Sequence, residues 1–378
     1  MPLRKILLFV VALFVSLHAY AQTRPVPPVL AAKSWLLLDL SSGQTLSEEK
    51  ADQRLDPASL TKLMTAYLTF SAIRQKTLAL NQMLPVSENA WRMGGSKMFV
   101  KVDTQVSVED LIKGMIVQSG NDACIVLAEA LAGSEENFAA MMNREARRLG
   151  MNNSNFRNST GMPDPEHYTT ARDLAKLATA LITEFPEEYR TYYSMKEFSY
   201  ANITQPNRNR LLWSDPSVDG MKTGHTNAAG YCLVSSAIRN QRRLISVVLG
   251  TNSDAERTRE SLKLLNWGFL AFDSVVLYRK DQPVSSLRVW KGSKNEIKAG
   301  FNRDLIIAVP KGQAGKVQAQ FVSQQPLMAP VQNGQTVGTL KVSVEGRPYG
   351  EYAVPALDNV PVAGLVGRTI DAVKLWMQ

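Results

Sequence analysis

The chain has 378 residues, 45% of them apolar and 20% charged, a balance that excludes a disordered polymer and leaves room for two domains. Its net charge of +9 is spread thinly, with no basic stripe interleaved with aromatics, so nucleic acid is not an expected partner; the mild basicity fits an anionic wall or lipid surface, but the charge alone reads first as a diffuse solvated surface. Two cysteines are too few for a disulfide framework.

Residues 1–21 read as an export signal: Arg4 and Lys5 form a basic start, residues 6–17 an apolar run, and Ala19-Tyr20-Ala21 a small-x-small cleavage site. The run is shorter than the roughly 20 apolar residues of a membrane span. The mature chain is therefore expected outside the cytoplasm, on the periplasmic face of the inner membrane or in a similar oxidising setting. Cys124 falls in an apolar helical run and Cys232 in an apolar strand pattern. The reading is two buried free thiols, with one disulfide as the alternative.

A Pro-rich lead-in at 23–28 precedes a strand, a turn and a second strand over 34–46. Asp56-Pro57-Ala58-Ser59-Leu60-Thr61-Lys62 then predicts a helix start, with Pro57 in the first turn and Leu60, Leu63, Met64, Tyr67 and Leu68 spaced by three and four. On that helix Ser59 and Lys62 share a face, a hydroxyl near the N-terminus with an amine one turn on. That is an arrangement for a serine nucleophile and its base. The same spacing at Ser47 and Lys50, in a charged turn, shows how little the pair says alone.

Residues 85–106, with Met93-Gly94-Gly95-Ser96-Lys97, predict an ordered loop and a short strand. Ser107 with Asp110 opens a helix to 117; Ser119-Gly120-Asn121 interrupts; a weakly charged helix covers 123–132 and another 135–149, ending at Gly150. Residues 151–169 read as a loop, and Thr170 with Asp173 caps a helix to about 183, which makes Asp173 a cap rather than a catalytic acid. Val218-Asp219-Gly220-Met221-Lys222-Thr223-Gly224-His225 leads into a hairpin over 231–238 and 243–250 with its turn at Asn240-Gln241, and a helix over 255–272 follows. Strands enclosing a helical middle predict, for residues 29–273, an α/β domain with an antiparallel sheet flanked by helices.

From 274 to 362 short β-type runs are punctuated by Gly, Pro and Asn, predicting a small all-β domain that serves as a spacer or docking module. Residues 363–378 form an amphipathic helix with Leu365, Val366, Ile370, Val373, Trp376 and Met377 on one side and Arg368, Asp371 and Lys374 on the other. It is too short to cross a bilayer but suits the membrane surface, and it is the expected anchor.

Three signals occur in order: Ser59-x-x-Lys62, Ser119-Gly120-Asn121 and Lys222-Thr223-Gly224. Ser-x-Asn also occurs at Ser87 and Ser293, so that motif alone says little, whereas Lys-Thr-Gly occurs once. Together they are the set of penicillin-binding proteins and serine β-lactamases. With Gln118 to Cys124, Tyr168 to Leu174, Asn207-Arg208-Asn209 and Val218-Asp219-Gly220, the chain resembles the low-molecular-weight penicillin-binding proteins that act as D-alanyl-D-alanine carboxypeptidases, of the penicillin-binding protein 5 type. The resemblance implies the transpeptidase-like fold and a serine acyl-enzyme. It also implies that peptidoglycan stem peptides are the substrate and β-lactams the covalent inhibitors.

The chemistry of the residues agrees. Ser59 attacks a carbonyl and Lys62, if neutral, takes its proton; bringing a lysine from about 10.4 to about 7 requires burial beside a second ammonium. Lys222 suits that second position and a substrate carboxylate, Ser119 a proton relay to the leaving amine, and Asn121 the orientation of Lys62 and the substrate amide. The Lys222 strand offers an edge to an extended peptide. The resemblance further implies an oxyanion hole from the backbone N–H of Ser59 and His225, and places Thr223, Gly224, Thr226, Arg208 and Arg257 at the substrate, several of them at its terminal carboxylate. The His225 ring is not expected to act as a base. Three histidines without ligand spacing make a metal site unexpected, and no cofactor is implied. Three alternatives compete with the carboxypeptidase. A D,D-endopeptidase would use the same residues. A β-lactamase is disfavoured because no Glu-x-x-Leu-Asn loop lies between Asn121 and Lys222, and a non-enzymatic wall-binding protein because all three motifs are intact.

Overall fold

Five antiparallel strands form the sheet on which the site is built: β1 (Ser34–Asp39), β2 (Gln44–Glu49), β3 (Val218–Thr226), β4 (Gly230–Arg239) and β5 (Arg242–Thr251), in the order β2-β1-β5-β4-β3. The computed structural model describes residues 25–377, so the export signal expected at 1–21 lies outside the described residues. β5 is buried almost end to end because helices cover both faces of the sheet: α5 (Ala171–Glu184) packs on one side and α6 (Asp254–Ala271) on the other. Its turn from β4 holds Asn240 and Gln241 at φ +49° and +64°, the left-handed pair that a two-residue hairpin needs. β3 lies at the sheet's edge, as a peptide-pairing strand must.

The helical layer packs around α1 (Lys62–Arg74), whose residues 62–70 are all buried. α2 (Val108–Val117), α3 (Asn121–Ala132) and α4 (Glu135–Arg148) surround it. α1 over 62–70 and α3 over 121–128 are buried on every side, as helices inside a domain are. Truncating one of their core side chains, Leu63 for instance, costs about 2–5 kcal/mol. The capping residues act as read: the Ser107 hydroxyl accepts the Asp110 N–H at 3.1 Å, and the Thr170 hydroxyl accepts the Asp173 N–H at 3.1 Å. Cys124 and Cys232 are both free and buried.

Several elements differ from the expectation. Ser59 sits in a 3-10 turn, Ala58–Thr61, and the α-helix begins only at Lys62. Short helices at Glu88–Arg92 and Pro186–Tyr192 and a ribbon of Glu197–Tyr200 with Ile203–Pro206 were not foreseen. They are shorter than the window in which a hydrophobic period can be recognised.

By contacts the chain divides into two units, one of Pro27–Lys280 with Arg303–Lys311 and one built on Asp281–Asn302 and Gly312–Gln378. The pair formed by Phe272–Tyr278 and Leu305–Pro310 thus falls in the larger unit, beyond the composition break read at 274. Composition marks a β-type run but not the partner it selects. In the smaller unit Thr336–Val344 lies between Val317–Ser323 and Arg347–Pro355, and Pro283–Trp290 pairs with Glu296–Gly300. A terminal helix, Leu365–Trp376, ends that unit; its Asp371 is buried and accepts the Lys291 N–H at 2.6 Å, while Leu365, Val366 and Trp376 are exposed. Among the described residues no helix is long and apolar enough to cross a membrane.

Candidate active site

The Ser59 turn is held against the end of β3 by a carboxylate that sequence reading passed over. Asp56 Oδ1 accepts the Ala58 N–H at 2.7 Å, and its Oδ2 accepts the Thr226 hydroxyl at 3.0 Å. The Thr226 hydroxyl in turn accepts the Ala229 N–H at 3.0 Å, so it is engaged structurally, and Thr226 does not line the cleft. Gly224 allows the close approach of strand and turn, because a Cβ there would lie 2.9 Å from the Pro57 carbonyl oxygen.

Lys62 is 1% exposed, and its amine has three polar neighbours: Ser59 Oγ at 3.0 Å, Asn121 Oδ1 at 2.7 Å and the Thr160 carbonyl oxygen at 2.6 Å. The last two can only accept. A neutral amine carries two hydrogens and one lone pair, so with the hydrogens on the two carbonyls the lone pair faces the Ser59 hydroxyl. Burial pushes the Lys62 pKa down and Arg208 adds to the push, against Cys124, Asp122 and Glu135. Desolvation thus favours the neutral amine, and its three neighbours leave room for that form with the lone pair toward Ser59 Oγ.

Lys222 is 3% exposed and donates to Ser119 Oγ at 2.9 Å and to the Thr223 carbonyl at 3.1 Å. Burial holds its pKa well below the ordinary lysine value, with Lys62, Arg208 and Arg257 adding like-charge repulsion. Ser119 adopts φ +61° between α2 and α3, a conformation rare for a residue with a Cβ and one that functional turns retain. Ser59 and Asn121 thus meet on the Lys62 amine and Ser119 on that of Lys222, and Ser59, Ser119 and Thr223 line one cleft.

These groups open into a cleft of about 800 Å³ lined by Ser59, Ser119, Thr223, Gly224, His225 and Arg208, among others. Arg208 is exposed there and makes no hydrogen bond or ion pair among the described residues. The buried Asn207 and Asn209 aim it: Asn209 Nδ2 donates to the Gly220 carbonyl at 3.0 Å, and Asn207 Oδ1 accepts the Asn209 N–H at 2.9 Å. Arg257 is different. It is buried, donates to the Gly224 carbonyl at 3.1 Å, pairs with Asp254, and lies over the Tyr231 ring at 5.5 Å. It steadies the strand end and also lines the cleft. The exposed His225 ring lies against Tyr231, with centroids 4.0 Å apart.

Two parts of the site were read only as loops. Asn158 Oδ1 accepts the N–H groups of Thr160, Gly161 and Met162 at 3.2, 2.7 and 3.2 Å, a turn that aims the Thr160 carbonyl at Lys62. Gly161, at φ +83°, has no space for a Cβ, which would meet the Ala58 carbonyl oxygen at 1.8 Å. The second is the segment around Met93–Val100, whose Gly94 carbonyl accepts Asn121 Nδ2 at 2.8 Å. The signals were there, in Asn158-x-x-Gly161 and Gly94-Gly95, but turn residues do not say which side chain the turn serves.

The D-alanyl-D-alanine carboxypeptidase family model matches residues 21–253, and that of the penicillin-binding protein 5 C-terminal domain matches residues 272–362. The chain is 44% identical over 356 residues to the D-alanyl-D-alanine carboxypeptidase DacC of Escherichia coli, covering 92% of this chain and 89% of that one. The solved structure of penicillin-binding protein 5 from Haemophilus influenzae is similar with a TM-score of 0.86 at 41% identity, over 89% of this chain and 99% of that one. Penicillin-binding protein D2 from Listeria monocytogenes in its ampicillin-bound form is similar with a TM-score of 0.59 at 31% identity, over 64% of this chain and 98% of that one.

Proposed function

The chain belongs to the D-alanyl-D-alanine carboxypeptidase family, and from that membership we infer that it removes the terminal D-alanine of peptidoglycan pentapeptide stems through an acyl-enzyme on Ser59. The observation that carries this assignment of residues is the Lys62 amine, buried, 3.0 Å from Ser59 Oγ, with two carbonyls for its two hydrogens.

Lys62 takes the Ser59 proton as Oγ attacks the carbonyl of the penultimate D-alanine. The oxyanion is received by the backbone N–H groups of Ser59 and His225, two donors at the junction of the 3-10 turn and the edge strand. The Ser119 hydroxyl, hydrogen-bonded to Lys222, gives its proton to the leaving amine and is reprotonated with the one Lys62 took; the C–N bond breaks, free D-alanine departs and Lys62 is neutral again. Its carboxylate is held by Lys222, the Thr223 hydroxyl and the free guanidinium of Arg208, while Arg257 acts from behind through the Gly224 carbonyl. The same carboxylate returns the stabilisation that burial withdraws from a charged Lys222. Lys62 then takes a proton from the water that adds to the ester carbon and returns it to Oγ as the Oγ–C bond breaks. A β-lactam enters by the same attack, its ring amide opening in place of the peptide bond.

The 364–377 tail is assigned to the membrane surface of an exported protein. The exposed Leu365, Val366, Ile370, Val373, Trp376 and Met377 support this, a contiguous apolar face on a helix whose Asp371 is turned the other way.

Covalent labelling with fluorescent penicillin, together with D-alanine release from a pentapeptide and from a cross-linked dimer, tests the reading. Wild type is expected to label and to release D-alanine from the pentapeptide, and Ser59→Ala to do neither. Labelling that survives in Ser59→Ala removes Ser59 as nucleophile.

A further inference from the structure

We propose that Asp122 is a positioning residue for acylation: its carboxylate clamps the 96–100 segment, and through that segment fixes which end of the Asn121 amide faces Lys62. The inference rests on the acyl-enzyme reading above. Asp122 is buried at the first turn of α3 and receives four backbone N–H groups. Its Oδ1 accepts those of Met98 at 2.9 Å and Ala123 at 3.0 Å, and its Oδ2 accepts those of Phe99 at 2.8 Å and Val100 at 3.2 Å. Three of these donors lie on one loop remote in sequence, and among them Phe99 stands at φ +71°, a conformation that persists only where its surroundings impose it.

The neighbouring residue is tied to the same loop. The Asn121 N–H donates to the Ser96 carbonyl at 2.7 Å, and Asn121 Nδ2 donates to the Gly94 carbonyl at 2.8 Å. With Nδ2 committed to Gly94, Oδ1 is the end that meets the Lys62 amine. If the loop slips, that commitment is lost and the amide is free to turn over. An N–H would then face the Lys62 hydrogen that Oδ1 now accepts, the amine would turn its lone pair to that donor, and the base would no longer be aimed at the hydroxyl it must deprotonate. The clamp is also closely packed, since a Cβ at Gly120 would lie 2.9 Å from Asp122 Oδ1 and 3.2 Å from the Met98 nitrogen.

The test compares Asp122→Asn and Gly120→Ala with wild type in the full chain, using fluorescent penicillin as the probe. Asp122→Asn sets an NH2 group against backbone donors, and Gly120→Ala presses on the clamp while keeping its charge. In both, the second-order acylation constant is expected to fall about 10- to 100-fold, the scale set by small misplacements of a reacting group. The amides of residues 98–100 should lose hydrogen-exchange protection while those of α5 keep theirs. One further readout separates positioning from general damage. Lys62 is faced by Asp122, Glu135, Cys124, Arg208 and Lys222, and only Asp122→Asn removes an anion from that set. The acid limb of the acylation profile should therefore move to lower pH in Asp122→Asn and stay in place in Gly120→Ala. Either folded variant labelling at the wild-type rate with residues 98–100 exposed to exchange overturns the proposal, as does a rate loss with those amides still protected. Should Asp122→Asn fail to fold, Gly120→Ala decides by the same two criteria. Wild type that does not label at all instead sinks the acyl-enzyme reading itself.

Discussion

Replacing Asn121 by Asp changes one atom type beside Lys62 and turns the proposed base into a cation. The new carboxylate oxygen would stand where Oδ1 now lies, 2.7 Å from the amine. With charge centres roughly 3.5 Å apart and an effective dielectric constant of about 20, the pair gains about 5 kcal/mol. That is between about three and four pKa units, upward, opposing the direction in which burial drives Lys62. The ammonium then persists through neutral pH and cannot accept the Ser59 proton. Labelling by fluorescent penicillin at pH 7 should fall by about 1,000-fold or more, and the rate should climb about tenfold per pH unit above neutrality as the amine is freed. Asn121→Ala, which removes the acceptor without adding charge, should lose less and should not acquire that slope. An Asn121→Asp enzyme that labels within tenfold of wild type at pH 7, or whose rate is flat from pH 7 to 9, would refute the neutral-amine mechanism.

Gly161→Ala should destabilise the protein by more than about 3 kcal/mol in urea unfolding, because the methyl group overlaps the Ala58 carbonyl oxygen at a positive φ; an unchanged midpoint would show that the loop relaxes freely. His167, packed on Phe156 and paired to the Thr61 hydroxyl at 2.9 Å, has its pKa pushed down to about 4 by burial. The unfolded chain therefore takes up a proton below about 6.5 that the native state refuses, and stability should fall as pH drops from about 6.5 to about 4, by up to about 3 kcal/mol, and level off below. His167→Gln should lose less over the same window, and equal losses in the two proteins would remove His167 as the cause. Deleting residues 364–378 should move the protein from the membrane to the soluble fraction and leave D-alanine release from small peptides intact; unchanged fractionation would show that the tail is not the anchor.

What was legible in the sequence is what short-range chemistry dictates. Ser107 and Thr170 announce helix starts because a hydroxyl satisfies free N–H groups three residues on, whatever the rest of the fold does. Asn240-Gln241 between two apolar runs announces a hairpin for a similarly local reason. The three motifs were legible as a set, and the structure brings Ser59, Lys62, Ser119, Asn121 and Lys222 into two hydrogen-bond clusters that open on one cleft. The roles of Asp56, Asp122, Asn158 and Gly161 were not legible, because each acts on backbone groups, or for Asp56 also on a hydroxyl, that the fold alone brings near. A carboxylate that binds the amides of Met98 and Phe99 looks, in sequence, like any acidic residue in the first turn of a helix. The engagement of Thr226 with Asp56 and of Arg257 with the Gly224 carbonyl was not legible for a related reason: position in a motif places a residue near the cleft but does not say which way its polar atoms are engaged.

The two sulfhydryls have a practical sequel. Both lie in the interior, Cys124 against the Gly120 carbonyl and Cys232 beside the Ala229 carbonyl, and burial raises them to about 12 and about 11, far from the thiolate that reacts with maleimides. The native chain is thus a silent background for dye attachment. A single surface cysteine introduced at an exposed position of either unit would carry the only fluorophore, without first stripping the protein of its own.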